Sequence, residues 1–159
     1  MNSEAVAASF LASWAVQDVE MTALHMHKNI VYKIHVPITI RPFGGVRHGI
    51  DECREAMFAV LKDFDYIEYV PTIVNAIGNV VRAHIRFKCR HRPTGCVLEG
   101  TRRLVIRVRG DLIDQVDSYH DARLIETFLR LTEHGQTSEP SMPLPRPLRQ
   151  KEGSGFNND

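Results

Sequence analysis

The sequence predicts an α+β domain, and three observations carry that expectation. Before Tyr66 the apolar residues recur at helical spacing around a single β-branched run. After Tyr66 the texture changes to consecutive strands of alternating polarity. From Asp121 an amphipathic stretch returns to helical spacing. Helices grouped against one face of an antiparallel sheet make this class of domain. With 159 residues, 43% of them hydrophobic, the chain is one domain's worth and long enough to bury a core.

The elements follow in order. SEAVAASFLASWAVQD places Val6, Phe10, Ala12, Ser13 and Trp14 near one helical stripe, with Ser3 at the cap. VEMTALH, after Asp18, reads as a second short helix. NIVYKIHVP is a strand, rich in β-branched residues and stopped by Pro37. ITIRPFGGVRHG, with a proline and a glycine pair, reads as a loop. IDECREAMFAVLKDF is a third helix capped at Asp51, with Met57, Val60, Leu61 and Phe64 as its apolar face. YIEYVPTIVNA, NVVRAHIRFKCRHR, CVLEGTRRLVIRVR and DLIDQVDSY are the strands, and a closing helix runs from Asp121 towards His134. The remainder, TSEPSMPLPRPLRQKEGSGFNND, is rich in Pro, Ser and charge. The domain is therefore assigned to residues 1–134 and a flexible tail to 135–159.

A hairpin register around Arg92-Pro93-Thr94-Gly95, pairing Val81 with Val108, Ala83 with Ile106 and Ile85 with Leu104, buries one face consistently. It sends Arg82, His84, Arg86, Lys88 and Arg90 to the other face. A two-residue turn at Gly110-Asp111 then sets Val108 opposite Ile113 and Arg107 opposite Asp114. Arg102 breaks the pattern, because it falls on the apolar face opposite Phe87. A buried charge there needs a carboxylate, water or an anionic ligand. Continued regularly, the register puts Asp117 and Tyr119 on the apolar face. One bulge would put Val116, Ser118 and His120 there instead.

Composition removes several function classes. A formal net charge of +1 gives no global pull towards nucleic acid or an anionic membrane. The basic row from Arg82 to Arg92 carries one aromatic, Phe87, which points the other way, so it lacks a stacking platform for bases. No apolar run is long enough to span a bilayer, and the N-terminus lacks the layout of a signal peptide. Cys53, Cys89 and Cys96 form no even framework and no CxxC pair, which predicts free thiols in a cytoplasmic protein. His25, His27 and His35 have no recognised ligand spacing, so neither metal nor another cofactor is expected.

Three stretches, FLASWAVQDVEMTALHMHKNIVY, HGIDECREAMFAVL and GDLIDQVDSYHDARLIETFLRL, resemble the nuclear transport factor 2-like superfamily, and within it the SnoaL-like and ketosteroid isomerase-like proteins. The resemblance covers roughly Ser3 to Glu133. It implies a cone in which a curved antiparallel sheet wraps the N-terminal helices, leaves a pocket open at one end and closes with the C-terminal helix. It further implies a homodimer through the sheet.

The same resemblance leaves the usual catalytic acids replaced. Phe10 stands where ketosteroid isomerases place a helix tyrosine, and Ile34 where they place the proton-shuttling acid. Ser118 stands where SnoaL-like cyclases place an aspartate, with Arg102 and Leu104 at the helper positions. A one-residue slip would bring in His35. Asp121 reads as the cap of the closing helix. These residues imply a pocket for a small apolar or aromatic ketone-like molecule, bounded by Trp14, Tyr32, Arg102 and Ser118. Any chemistry would be cofactor-free isomerisation, cyclisation or hydration by proton transfer, with His35, Asp117 or His120 as the base. The alternative is a non-catalytic ligand-binding or protein-interaction module of the same fold. A weaker option is protein binding through PLPRP in the tail.

Overall fold

A computed structural model describes residues 2–36 and 44–121, together with Arg123, Glu126 and Arg130. The expected closing helix is described only at those three positions, which are helical, and the expected tail lies outside the described residues. Helix α1 (Ser3–Ala15) and the short α2 (Val19–Leu24) precede strand β1 (Met26–His35). Strand β2 (Gly45–His48) leads into helix α3 (Gly49–Asp63). Four long strands then follow: β3 (Phe64–Ile77), β4 (Val80–His91), β5 (Val97–Arg109) and β6 (Leu112–His120).

They form one open six-stranded sheet in the order β2-β1-β6-β5-β4-β3. The α+β cone is the observed architecture, with one refinement: the sheet is mixed, because β1 runs parallel to β6 while every other neighbouring pair is antiparallel. Parallel neighbours need a long crossover, and nearly half of the chain lies between these two strands.

Local chemistry sets the helix ends, not always where the sequence suggests. Asn2, not Ser3, caps α1 by accepting from the Ala5 N–H at 2.7 Å. Asp18 caps α2 through Met21. Asp51 is in the first turn of α3 and not its cap; His48 holds that position, and its backbone N–H donates to Glu52 Oε1 at 2.7 Å. Phe64 belongs to β3, and GVRH, expected as loop, is an edge strand paired with β1. Four residues at an edge are too short for periodicity to reveal. On α1 the buried stripe is Val6, Ala7, Phe10, Leu11, Ser13 and Trp14, while Ala12 faces water.

The hairpin register differs from expectation by two residues. Val81 pairs with Ile106, Ala83 with Leu104 and Ile85 with Arg102. A two-residue slip preserves the faces, since side chains alternate with period two. Core residues Val81, Ala83, Ile85, Leu104 and Ile106 therefore still point inward against α1, and Arg82, His84, Arg86 and Arg90 remain outside. The outer row is partly paired: Arg86 with Glu68 at 3.1 Å, Lys88 with Glu99 at 3.8 Å and Arg90 with Asp65 at 3.7 Å. That is a solvated, charge-alternating face.

Two of the sheet's irregularities set which side chains reach the concave face. In β6 the register jumps at Asp114: Val108 pairs with Ile113, but Arg107 pairs with Gln115. Asp114 is left buried and takes Arg107 at 2.8 and 3.1 Å. Beyond it, Val116 and Ser118 point into the core and Asp117 away from it. In β3 the register skips Ile67, which is exposed, so Tyr66 and Tyr69 both reach the inner face although they are three apart.

Gln17 braces the second bulge. It holds a left-handed φ of 60°, which costs a non-glycine residue about 1 kcal/mol. Its amide donates to the Tyr66 carbonyl at 3.2 Å and accepts from the Tyr66 N–H at 3.4 Å. Gln17→Ala is expected to lower stability by about 1–2 kcal/mol. A chemical-denaturation midpoint equal to that of the parent protein would remove this bracing role.

Candidate functional site

The concave side of the sheet, closed over by α1 and α3, encloses a cavity of about 90 Å³. That is room for several water-sized groups. Its walls are mostly apolar. α1 contributes Phe10, Leu11 and Trp14, α3 contributes Cys53, Ala56, Met57 and Val60, and the strands contribute Phe64, Phe87, Cys89, Leu98 and Leu104. Trp14 meets Tyr66 edge-on at 6.0 Å, and Tyr66 meets Tyr69 and Phe87 in the same way. Such edge contacts fix the rings and give the wall a rigid shape.

The polar groups of this cavity converge on Arg102. Its side chain projects inward from β5 and is 9% exposed. Nη1 donates to Ser118 Oγ at 3.3 Å, and Nη2 donates to the Tyr69 hydroxyl. The guanidinium carbon also lies 5.5 Å from the centre of the Tyr69 ring. His120 is the cross-strand partner of Arg102 and lines the same cavity. No aspartate or glutamate lines it among the described residues.

Burial controls the ionisation of these groups. Desolvation, with the charge of Arg102 in support, holds His120 down to about 3, so its imidazole is neutral at physiological pH. Burial likewise pushes the hydroxyls of Tyr66 and Tyr69 above their usual range, against the opposing charge of Arg102. Burial also raises Cys53 to about 11 and Cys89 to about 12, so neither lining thiol is a nucleophile. Arg102 is thus a buried cation beside neutral polar groups, and a second arginine, Arg47, also lines the cavity.

The residues singled out from the sequence fall in two places. Trp14, Tyr32, Arg102 and His120 line the cavity, and Ser118 is buried behind Arg102 as its hydrogen-bond acceptor. Phe10, Ile34 and Leu104 also line it, so the positions aligned with catalytic groups face the cavity but carry apolar side chains. His35 and Asp117 are not in the lining. They meet on the opposite face, with His35 Nε2 donating to Asp117 Oδ1 at 2.8 Å and Gln115 donating to Oδ2 at 2.9 Å. Burial opposes ionisation of Asp117, but the bonds from His35 and Gln115 outweigh it and hold the carboxyl below its usual range. The His35 ring stacks on Tyr119 at 4.4 Å. Asp121 accepts from the Arg123 N–H at 3.0 Å, in keeping with a capping position. Among the described residues no cluster of His, Cys, Asp or Glu has the make-up of a metal site.

Sequence reasoning missed Tyr66 and Tyr69. In YIEYV they are three apart, which in a regular strand means opposite faces; only the bulge at Ile67 unites them. Met57 and Val60 were legible as the apolar side of a helix, whereas Cys53 and Ala56 were not, and none of the four was legible as a pocket wall.

The depressed histidine makes stability pH-dependent. The unfolded chain takes up protons at His120 below pH 6.5, whereas the folded state resists until about pH 3. Stability is therefore full above pH 6.5 and falls as the pH drops below it. His91, lowered mainly by burial, acts in the same direction. His120→Gln is expected to recover about 2 kcal/mol of the stability lost between neutral pH and about pH 5. Urea midpoints at the two pH values check this, and an unchanged difference would show that His120 titrates normally.

No protein-family model matches the chain, and no curated protein matches it either. Solved structures do resemble it. A nuclear transport factor 2-like protein from Burkholderia thailandensis superposes with a TM-score of 0.68 at 18% identity, covering 81% of this chain and 98% of that one. A ketosteroid isomerase-like protein from Erwinia carotovora atroseptica gives 0.62 at 15% identity, over 74% and 92% of the two chains. A protein from Mesorhizobium loti, likened to SnoaL-like polyketide cyclases, gives 0.64 at 15% identity, over 76% and 100%. Identities this low speak for architecture and not for activity. The chain has the nuclear transport factor 2-like fold.

Proposed function

We propose that this protein binds a small, largely apolar organic molecule in the cavity between α1, α3 and the sheet. One observation carries the reading: an aromatic and aliphatic enclosure in which Arg102, Tyr69 and His120 form a single polar focus. Ligand pockets combine apolar walls with a few placed polar groups in this way. Solved proteins of the same fold that are named for ketosteroid isomerase and polyketide cyclase likenesses support a small-molecule role. The three thiols are free, which fits the reducing cytoplasm. No helix among the described residues is long and apolar enough to cross a membrane.

Trp14 lines the cavity and is the chain's single tryptophan, so it reports occupancy directly. Titration with a panel of aromatic and alicyclic ketones and acids is expected to give saturable quenching by at least one class. Ala56→Phe, which fills the wall of α3 without touching the polar focus, is expected to abolish that quenching while the fold is kept. Folded parent protein that responds to no member of the panel would turn the reading towards a protein-interaction module.

A second reading, a proton-transfer enzyme acting on a ketone, is favoured by the same focus. Arg102 and Tyr69 can polarise a carbonyl oxygen, which acidifies the adjacent C–H. His120 is the lining group able to accept the proton, but burial and Arg102 make it a weak base in the empty site. The His35–Asp117 pair stands on the other face of the sheet. For any ketone turned over, His120→Gln is expected to reduce kcat by about a hundredfold or more. His35→Ala is expected to leave kcat within about a factor of two, within the range of surface changes. The reverse pattern would move the chemistry to the outer face.

A further inference from the structure

Arg102 is a buried cation that no carboxylate among the described residues pairs. Its described hydrogen bonds go to the neutral oxygens of Ser118 and Tyr69, and no described acid pairs with it. A guanidinium carries five N–H donors, so most of its donor capacity is unspent. An uncompensated buried charge costs several kcal/mol, a penalty that a chain ordinarily removes by pairing or by substitution.

Several other arginines of this chain are paired with acids. Arg107, farther along the same strand, is held by Asp114 through two bonds; Arg86 faces Glu68, and Arg54 faces Asp51. None of these three lines the cavity. The groups around Arg102 also share a polarity. Tyr69 already accepts from Arg102, so its own proton is available to a further acceptor. Neutral His120 retains one ring N–H, and a second arginine, Arg47, lines the cavity. Arg102, Tyr69 and His120 bring donors together, Arg47 adds another to the lining, and no acidic side chain among the described residues lines the space.

We propose that the molecule taken by this cavity carries a carboxylate on an apolar body, and that Arg102 receives it with Tyr69 as the adjoining donor. The inference rests on the cavity being a ligand site. A carboxylate supplies only acceptors, matches the guanidinium fork with two parallel bonds and restores charge neutrality to the cavity. An amide or alcohol would bring donors that find few acceptors there. A ketone would accept but leave the charge uncompensated. The aromatic and aliphatic walls then fit a body without further polar groups, such as an aryl or alicyclic acid.

The test uses three probes with one body and three heads: hydrocinnamate, its primary amide, and the methyl ketone benzylacetone. Each is titrated against the full chain at neutral pH, with Trp14 fluorescence as the readout. Hydrocinnamate is expected to bind about tenfold or more tightly than the other two, as charge-assisted bonds outweigh neutral ones. In Arg102→Met the preference is expected to vanish while benzylacetone still binds; in Arg47→Met it is expected to persist. Equal affinities, or a preference for the ketone or the amide, overturn the carboxylate and leave the cavity reading intact. Silence from all three probes in folded protein overturns the cavity reading and the inference with it. A preference lost in Arg47→Met but kept in Arg102→Met reassigns the anion and overturns the role of Arg102. Should Arg102→Met fail to fold, the comparison of the three heads in the parent protein decides the class of ligand by itself.

Discussion

A single buried charge, that of Arg102, organises the polar chemistry of the concave face. Water solvates a guanidinium far better than an apolar interior does, so the fold must give back hydrogen bonds wherever it takes solvent away. It does so with neutral oxygens, Ser118 Oγ behind the side chain and the Tyr69 hydroxyl in front. The consequence spreads to neighbours: with Arg102 this close, a proton on His120 would add a second buried charge beside the first, and the imidazole stays neutral. Asp114 shows the contrast. It too is buried, but Arg107 reaches it from the solvent side and the pair is closed.

That polar focus exists because two strands carry an extra residue. Without the bulge at Asp114, Ser118 and His120 would turn outward and Asp117 would swing in beside Arg102, forming an ordinary buried ion pair. Without the bulge at Ile67, Tyr66 and Tyr69 would point to opposite faces. The architecture thus chooses neutral partners over a carboxylate by backbone geometry, using the rule that one inserted residue exchanges the faces of everything after it. Gln17 shows the cost of holding such a place, with a left-handed backbone and an amide spent on the two main-chain groups of Tyr66.

These devices explain what was legible in the sequence and what was not. Helical spacing and strand alternation are local, so the order of elements, the inward rows of β4 and β5 and the misfit of Arg102 could be read directly from residues such as Val81, Ile85 and Leu104. The slip of two residues in the hairpin was invisible because it preserves every face. Bulges are the opposite case, changing faces while leaving composition untouched. The sequence therefore left the alternatives at Asp117 and Ser118 open and separated Tyr66 from Tyr69. The strand GVRH escaped because four residues at an edge carry too little pattern, and the parallel pairing of β1 with β6 is a long-range choice with no local signature.

The division of titratable groups between the two faces bears on whether the fold here serves binding or chemistry. The His35–Asp117 pair sits outside the cavity, and His35 is 39% exposed in its side chain. The enclosed face holds His120, which burial chiefly, with Arg102 in support, keeps neutral. A neutral imidazole beside a fixed cation is a poor base, and donors gathered around that cation suit an anion better than a proton to be moved. Neutralising Arg102 with an acid would remove only the lesser restraint on His120 and leave its burial in place. On the proposed reading, the buried charge therefore favours binding over chemistry.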